Sequence, residues 1–329
     1  MNGRGHDGGG ASVYDQGSKW PKVLSLLLSD KIGVLALQET HMTASLLGEI
    51  ATRYEKQMRV FSSMEDDKPN SKGVAIVLNK RLTNHEEVQC TDIIPGRAIQ
   101  ITYPWHKNRL VTILAIYAPA GSESEKSEFW GTIRKSYVGD RQIRHPDFVL
   151  GDMNLVSSSA DRLPPACDAE DPVGKMNSFF ETLNVEDGWR NFFPSAKAYT
   201  HTSASTKHKS RLDRIYIGKE QIAACRNWEI KIPDAVTTDH WLVSVELTDP
   251  QMPYVGRGRY ALPRYVLEVD TVMKGVINDG IKLQDTIKMF TEGGRRRTRE
   301  DNPQVHYAQW KARVVSQVRD FAKKDVPKL

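Results

Sequence analysis

The chain has 329 residues, of which 39% are hydrophobic and 26% are charged, values that are ordinary for a globular protein able to bury its own core. No stretch approaches the roughly 18 consecutive apolar residues that a membrane-spanning helix needs. The polar, glycine-rich first ten residues lack the apolar segment of a secretory signal, so we predict an intracellular protein without a membrane partner. Three widely spaced cysteines without a CxxC pair argue against a disulfide framework and against a zinc site.

The net charge of +5 is unevenly distributed along the chain. Residues 250–329 contain 16 Lys and Arg against 9 Asp and Glu, whereas the preceding residues contain 30 against 32. A basic appendage on a slightly acidic body is common in proteins that bind nucleic acids. A helical tail with solvated charges explains the same count equally well, so charge alone leaves both interpretations open.

Hydrophobic periodicity and turn residues predict the elements of the first half of the chain. A Gly-, Asp- and Ser-rich loop over 2–19 precedes them. In chain order we predict a helix over 20–31, a strand over 34–37, a helix over 43–57, a strand over 74–78, a hairpin formed by 97–103 and 110–117, and a helix over 123–138.

The second half continues the alternation and then changes character near Asp249-Pro250. We predict a strand over 147–150, a helix over 171–184, strands over 211–217 and 241–247, a linker over 253–264, and helices over 265–290 and 303–325. The pattern indicates an α/β (α+β) fold, a four-layered sandwich of two mostly antiparallel β-sheets flanked by helices. This domain would cover residues 1–249, and a basic linker and helical tail would cover 250–329.

Polar clusters follow two predicted strands at the point where each strand ends. Glu39 comes directly after an apolar strand, where a carboxylate can hold a hard cation such as Mg²⁺. Asp152 and Asn154 belong to a Gly-Asp-Met-Asn sequence after another buried strand. The Asp can orient or deprotonate a water, and the Asn amide can donate to a phosphoryl oxygen. A surface glutamate or a simple Asx turn would explain either motif by itself.

Two further clusters lie nearer the end of the body. Strand alternation puts Asp213, in Arg211-Leu212-Asp213, on the face opposite Leu212, where it is available to a partner. His240, in Thr238-Asp239-His240, has a side chain suited to proton transfer near neutral pH, and Asp213 is the candidate to fix its tautomer. Each cluster alone is more often structural, and it is their joint occurrence in this order that indicates chemistry.

The chain resembles the endonuclease/exonuclease/phosphatase (DNase I-like) superfamily in a series of short motifs. In chain order these are QET at 38–40, YAP at 117–119, GDMN, RLD and TDH. The resemblance covers about residues 1–248. Within the superfamily, residues 35–41 are similar to the Glu motif of LINE-type non-LTR retrotransposon endonuclease domains. Residues 2–5, Lys19-Trp20 and the tail segments 253–259 and 326–329 resemble fungal members of that group.

The resemblance implies a metal site and a set of residues around the scissile phosphate. Mg²⁺, or Mn²⁺ in its place, would be held at a site that comprises Glu39, Asn2 and Asp239. The residues implied to act on the attacking water and the phosphate are Tyr117, Asp152, Asn154, Asp213 and His240. The implied activity is metal-dependent nicking of DNA with a 3′-hydroxyl product, by a monomeric and nuclear protein.

The chain departs from the family pattern at two positions. The family opens with Asn-x-Asn-Gly or Asn-x-Asp-Gly, whereas here only Met1-Asn2-Gly3 remains, and the first Asn, part of the metal site, is missing. Ala115 stands where the family commonly has an Asn shortly before the Tyr motif. We therefore expect a recognisable but weakened site. Two alternatives stay open: a catalytically impaired nucleic-acid-binding remnant, and a phosphatase of the same fold acting on inositol phosphates or lipids.

Overall fold

The computed structural model describes residues 19–65, 72–106, 109–139, 143–233, 238–249, 266 and 269–325. The chain divides into two compact units, Met1–Tyr254 and Val255–Leu329. Asn2 and the predicted linker over 253–264 lie outside the described residues, as does most of the predicted opening loop. The predicted boundary between residues 249 and 250 stays a prediction for the same reason.

Particular residues at the helix ends explain where several of the helices begin or end. Pro21 stands in the first turn of the first helix, where its missing N–H costs nothing. The Thr43 side chain accepts a hydrogen bond from the Leu46 N–H at 3.2 Å and caps the second helix. Asn184 ends the fourth in a left-handed conformation, with φ of 55°. The helices are α1 (Trp20–Ser29), α2 (Ala44–Arg53), α3 (Glu123–Gly139), α4 (Glu170–Leu183), α5 (Gly188–Phe192), α6 (Asp270–Thr291) and α7 (Pro303–Asp325).

The first unit contains strands of very different lengths. They are β1 (Val34–Gln38), β2 (Met58–Ser63), β3 (Val74–Asn79), β4 (Gln89–Ile94), β5 (Ala98–Pro104), β6 (Leu110–Tyr117), β7 (Phe148–Asp152), β8 (Arg162–Leu163), β9 (Val185–Asp187), β10 (His201–Thr202), β11 (Lys209–Ser210), β12 (Asp213–Gly218), β13 (Cys225–Lys231) and β14 (Leu242–Leu247). One sheet has the order β4-β5-β6-β7-β12-β9, and its β6–β7 pair is parallel. The others have the orders β1-β3-β2, β13-β14 and β10-β11-β8.

Strand alternation explains why the sheets stack in layers. Successive residues of β3 point to opposite faces, so Ile76 packs into the core between the sheets while Val77 packs against α1 and α2. In the same way, Ile113 of β6 enters the core between the sheets and Leu114 packs under α3 and α4. Helix, sheet, sheet and helix therefore form four layers, and the predicted sandwich is confirmed.

The structure corrects several predicted bounds. The strand predicted over 147–150 runs to Asp152, because the ladder with the neighbouring strands continues through Gly151. The strand predicted from Arg211 begins instead at Asp213, because the Arg211 N–H is bound to the Asp161 carbonyl at 2.9 Å rather than to a neighbouring strand. Helix α6 begins at Asp270, five residues later than predicted.

The second unit contains a pair of helices, α6 and α7, whose contact buries Val266, Val314 and Val318. Helix α7 starts at Pro303 and runs to Asp325. Within the part of the chain that the structure describes, no helix combines the length and the apolar character that crossing a membrane would require.

Candidate active site

Three of the predicted site residues form a row across adjacent strands of the large sheet. Tyr117, the last residue of β6, is in register with Asp152 at the end of β7, and Asp152 is in register with Asp213 at the start of β12. Register partners on neighbouring strands project side chains to the same face. The sheet itself therefore brings together residues that are far apart in sequence.

A close approach of strands β6 and β7 at Gly151 positions the Asp152 carboxylate. Gly151 has φ of 140°, and a Cβ at this position would lie 1.9 Å from the Ile116 carbonyl oxygen. Only glycine fits so close to the neighbouring strand. Asn154 follows with φ of 46° and donates its backbone N–H to Asp152 Oδ1 at 2.9 Å. Its side-chain amide donates to the Ala118 carbonyl at 2.8 Å, which fixes its position beside the row.

Asp213 and His240 form a buried ion-paired dyad. His240 Nδ1 lies 2.8 Å from Asp213 Oδ2, and the two side chains are 5% and 8% exposed. Burial acts to lower the pKa of His240, but the charge and hydrogen bond of Asp213 outweigh it and raise that pKa above its usual value. Burial likewise acts to raise the pKa of Asp213, and His240 outweighs it, so that pKa is lowered. The dyad therefore favours a charged imidazolium.

Asp152 lies next to this dyad, but its surroundings favour the protonated form of its carboxyl group. Burial raises its pKa, and the neighbouring Asp213 carboxylate adds to the increase, while His240 and the Asn154 N–H only partly oppose them. A carboxylate whose pKa is raised toward neutrality holds a proton well enough to act as a general base. Two carboxylates one strand apart are thus differentiated by their surroundings.

Tyr117 and Glu39 connect the two sheets across the sandwich edge. The Tyr117 hydroxyl donates to Glu39 Oε1 at 2.8 Å, and burial followed by this hydrogen bond raises the pKa of the phenol. The Arg97 guanidinium lies 4.7 Å from the centre of the Tyr117 ring. Glu39 directly follows β1 and has φ of 51°, a conformation that costs energy for a residue with a Cβ.

Asp239 and His201 complete the polar edge. Asp239 is exposed, and its Oδ2 lies 3.8 Å from His201 Nε2. Burial lowers the pKa of His201, and the neighbouring His240 lowers it further. The carboxylates of Asp239, Asp213 and Glu39 oppose that shift, which places all three within electrostatic range of one imidazole.

The donor set fits a divalent cation. Carboxylate oxygens are the ligands that hard cations prefer, and Glu39 and Asp239 supply them at an accessible edge. Ligand atoms of Asp152, Asp213 and His240 also lie within 4.8 Å of one another. Asn2, the third predicted metal residue, lies outside the described residues. Ala115 is fully buried in the core between the sheets, so it lines the core beneath this row.

Sequence reasoning missed Thr200, which holds the dyad in place. Its buried hydroxyl oxygen accepts the N–H groups of Leu212 and Asp213 at 3.0 and 2.9 Å. Its carbonyl accepts the N–H of Trp241, the residue after His240, at 2.6 Å. One threonine therefore contacts the backbone on both sides of the dyad. Its position one residue before a histidine is the only sequence signal, and that signal is weak.

A buried charge cluster behind Asp213 was also missed. Asp161 accepts two hydrogen bonds from the Arg211 guanidinium at 2.8 Å each, and Arg190 and Arg214 contact the same carboxylate. Arg211 also reaches Asp187 Oδ2 at 2.6 Å. Burial acts to raise the pKa of Asp161, but the guanidinium groups outweigh it and lower that pKa. The cluster anchors the residues on either side of Asp213.

Three solved structures illustrate the fold. The chain is similar to an AP endonuclease from Leishmania major (14% identity, 70% of this chain and 82% of the other, TM-score 0.57). It is also similar to an AP endonuclease from Archaeoglobus fulgidus (20% identity, 68% and 92%, TM-score 0.55). The third is the 3′ phosphatase NExo from Neisseria bound to a product DNA hairpin (19% identity, 72% and 95%, TM-score 0.53).

The family comparison covers most of the first unit. Residues 16–242 match the model of the Endonuclease/Exonuclease/phosphatase family. The match spans every described residue of the row, the dyad and the polar edge. By its description the family comprises endonucleases, exonucleases and phosphatases, all of which hydrolyse phosphate esters. The chain belongs to the Endonuclease/Exonuclease/phosphatase family.

Proposed function

We propose that this chain is a DNA endonuclease that hydrolyses a phosphodiester bond with water and depends on Mg²⁺ or Mn²⁺. The observation that carries the proposal is the row of Tyr117, Asp152 and Asp213, with His240 paired to its end. A phosphodiester is anionic and resists attack, so its hydrolysis needs a base for water and positive charge for the phosphoryl oxygens. The row supplies both within one cluster.

Each residue of the row has a distinct part in this proposal. Asp152 takes a proton from the attacking water, because its raised pKa favours the protonated form afterwards. The imidazolium of His240, held by Asp213, stabilises negative charge on the phosphoryl group. Glu39 and Asp239, with Asn2, are the residues that would hold the cation, which when bound neutralises phosphate charge. Tyr117 donates its single hydroxyl hydrogen to Glu39 in the free protein and would redirect it to a phosphoryl oxygen when the substrate binds.

The choice of DNA as substrate rests on the LINE-like motif at residues 35–41 and the basic residues of 250–329, and a cavity beside His201 leaves room for a ligand near the site. A cavity of about 430 Å³ opens next to His201 and is lined by Arg162, His208 and Ser210 among others. Arg162, which pairs with Asp168 at 2.9 Å, and the histidines offer polar groups to a phosphate, while Pro164, Pro165, Ala166 and Leu212 make much of the lining apolar. Origin from a non-LTR retrotransposon and a nuclear location rest on the LINE-like motif at residues 35–41, and an action as monomer is part of the same proposal.

Nicking of a supercoiled plasmid tests the proposal directly. We expect the pure full chain to convert supercoiled DNA to open circles with 3′-hydroxyl ends in Mg²⁺ or Mn²⁺, and to leave it intact in EDTA. A soluble phosphomonoester, an inositol phosphate and a 3′-phosphorylated DNA end should turn over far more slowly. Intact plasmid across both metals would refute the endonuclease, and faster turnover of a phosphomonoester would favour the phosphatase alternative.

A second candidate function, nucleic-acid binding by the second unit, is favoured by the loop between α6 and α7. Arg295 forms a two-bond ion pair with Asp301, each bond 2.9 Å, and lies 4.7 Å from the Phe290 ring centre. Asn302 caps α7 by accepting the Val305 N–H at 3.1 Å. This ordered loop exposes the side chains of Arg296, Arg297 and Arg299, which suit a phosphate backbone.

The salt dependence of DNA binding measures this second function. Replacing these three arginines with glutamine should reduce the slope of log affinity against log salt by roughly 3 × 0.9, because each lost phosphate contact removes one counterion release. A charge-matched control replaces Lys56, Arg81 and Lys135, exposed residues of the first unit, with glutamine. Equal slopes for both triple variants would show that the loop is only a solvated surface.

A further inference from the structure

Two histidines and an aspartate form a cluster at the exposed edge of the site. A nitrogen of His201, a nitrogen of His240 and a carboxylate oxygen of Asp239 all lie within 4.8 Å of one another. The two imidazole rings are 4.7 Å apart between centroids. An isolated bridge between the backbones of His201 and His240 holds the rings side by side. The first of these histidines has no part in the hydrolysis proposed above.

The donor types at this cluster differ from those that Mg²⁺ prefers. Mg²⁺ takes oxygen ligands almost exclusively, whereas Zn²⁺ binds imidazole nitrogen at about 2.0–2.1 Å and accepts two histidines and one carboxylate with an open fourth position. Closing the present spacing onto one ion needs movement of about an ångström. Asp239 can supply it, because its side chain is 57% exposed.

The environment of His240 prepares one of its nitrogens for a metal. Nδ1 is engaged by Asp213 Oδ2 at 2.8 Å, so a neutral His240 carries its proton there and leaves Nε2 as the ligand atom. A carboxylate behind a metal-binding histidine orients the ring and increases its basicity. Asp213 is itself buried, and its backbone N–H donates a hydrogen bond to the Thr200 hydroxyl oxygen.

We propose that His201, Asp239 and His240 form a binding site for Zn²⁺ or a similar borderline transition ion, and that its occupation switches the nuclease off. The ion would occupy His240 Nε2, the atom that faces away from Asp213, and so keep it from the phosphoryl group. It also occupies the carboxylate of Asp239, which the proposed Mg²⁺ site needs. The cysteine spacing argued against a zinc site, but this site would use histidine and aspartate ligands and no cysteine. The inhibitory consequence, though not the binding itself, rests on the proposed function.

Direct metal binding tests the site independently of nuclease activity. Tag-free full chain is titrated with Co²⁺ and Zn²⁺ in excess Mg²⁺, and the visible absorption of Co²⁺ and the heat of Zn²⁺ binding are recorded. We expect one ion per chain, a Co²⁺ spectrum with the intensity of a four- or five-coordinate complex, and displacement of Co²⁺ by Zn²⁺. His201→Phe should weaken Zn²⁺ binding at least tenfold, since it keeps an aromatic ring and removes the ligand nitrogen.

Two further variants and one control make the result decisive. Asp239→Asn, a change at an exposed side chain, should also weaken Zn²⁺ binding tenfold, whereas His145→Phe, at another exposed histidine, should not. Asp152→Asn should retain the ion. If Asp152→Asn abolishes binding and His201→Phe does not, the ion sits among Asp152, Asp213 and His240, and the proposal is wrong. Equal affinity in wild type, His201→Phe and Asp239→Asn overturns it equally.

Inhibition is measured separately and distinguishes the two proposals. The Zn²⁺ concentration that halves nicking, taken for each protein against its own rate in Mg²⁺, should rise at least tenfold in His201→Phe and stay unchanged in His145→Phe. Zn²⁺ binding that depends on His201 in a protein without nuclease activity would leave the metal site standing and remove the endonuclease. Nicking that Zn²⁺ inhibits equally in wild type and His201→Phe would remove the switch.

Discussion

Replacing Asp152 with asparagine should lower the rate of plasmid nicking by about 10²–10⁴-fold, the usual contribution of a positioned general base. The amide keeps the acceptor for the Asn154 N–H but cannot take a proton from water. The same change should leave the fold intact or make it more stable. Burial and the adjacent Asp213 carboxylate both raise the pKa of Asp152, which means that its ionised form is unfavourable in the native state.

The pH dependence of stability follows from this raised pKa. As pH increases above about 3.9, the value for an unfolded aspartate, the native state retains a proton that the unfolded state loses, so native stability falls. The asparagine introduced by Asp152→Asn does not titrate, so the stability advantage of the variant should grow from this pH to about 7, the pKa of Asp152 in the native state, and stay constant above it. Thermal unfolding in EDTA between pH 4 and 8 measures the difference. A variant less stable than wild type at every pH would contradict the assignment.

Asp213→Asn provides the matched control one strand away. The pKa of Asp213 is lowered by His240, so its ionised form stabilises the native state at neutral pH, and that contribution is lost as pH falls. Asp213→Asn should lose nicking activity as Asp152→Asn does, yet should be less stable than wild type. Opposite stability changes with the same loss of activity would separate the two carboxylates. Equal changes would show that the row does not differentiate them.

Replacing Asp161 with alanine should destabilise the first unit by about 3–5 kcal/mol, the cost of leaving buried charge without its partner. Arg211 and Arg214 are each 2% exposed, and both contact this carboxylate. The urea midpoint, followed by tryptophan fluorescence, is a suitable measurement. The Arg211 guanidinium lies 5.4 Å from the Trp189 ring centre, so the signal reports on this region.

Glu186→Ala is the matched control, because it removes an ion pair that is exposed to solvent. Glu186 pairs with Lys219 at 3.3 Å, and the two side chains are 40% and 55% exposed. Exposed pairs contribute at most about 1 kcal/mol, so this change should barely move the midpoint. A loss below about 1 kcal/mol for Asp161→Ala as well would mean that water reaches the cluster and that it does not anchor Asp213.

The sandwich could be predicted because its strands are patterned. Strand β3 is buried along its whole length and its alternate residues enter two cores, which the apolar run at 74–78 indicates. Strand β4 was missed because it is an edge strand whose residues Gln89–Asp92 are exposed. Its sequence therefore lacks the apolar pattern that a buried strand shows. Strands β2 and β13 were missed because partly buried, mixed residues give no clear period.

The site was predictable where a motif carries the chemistry and not where packing does. Asp152, Asp213 and His240 stand in short motifs, and the structure places them together. Thr200 acts through its hydroxyl and carbonyl on backbone groups of other segments, and no local pattern reports such a contact. Asp161 lies in a 3₁₀ turn of ordinary composition, so its three arginine partners are visible only in three dimensions.

His240 completes the proposed site, and it follows every other described residue of that site in the sequence. The Tyr117 hydrogen bond to Glu39 joins residues 78 positions apart, and the dyad joins residues 27 positions apart. Each contact can form only after both of its residues have been synthesised and the intervening chain has closed into a loop. A nascent chain that has not yet delivered His240 can already form much of the large sheet without being a nuclease. The nuclease activity proposed for this chain would therefore appear only after residue 240 has been synthesised.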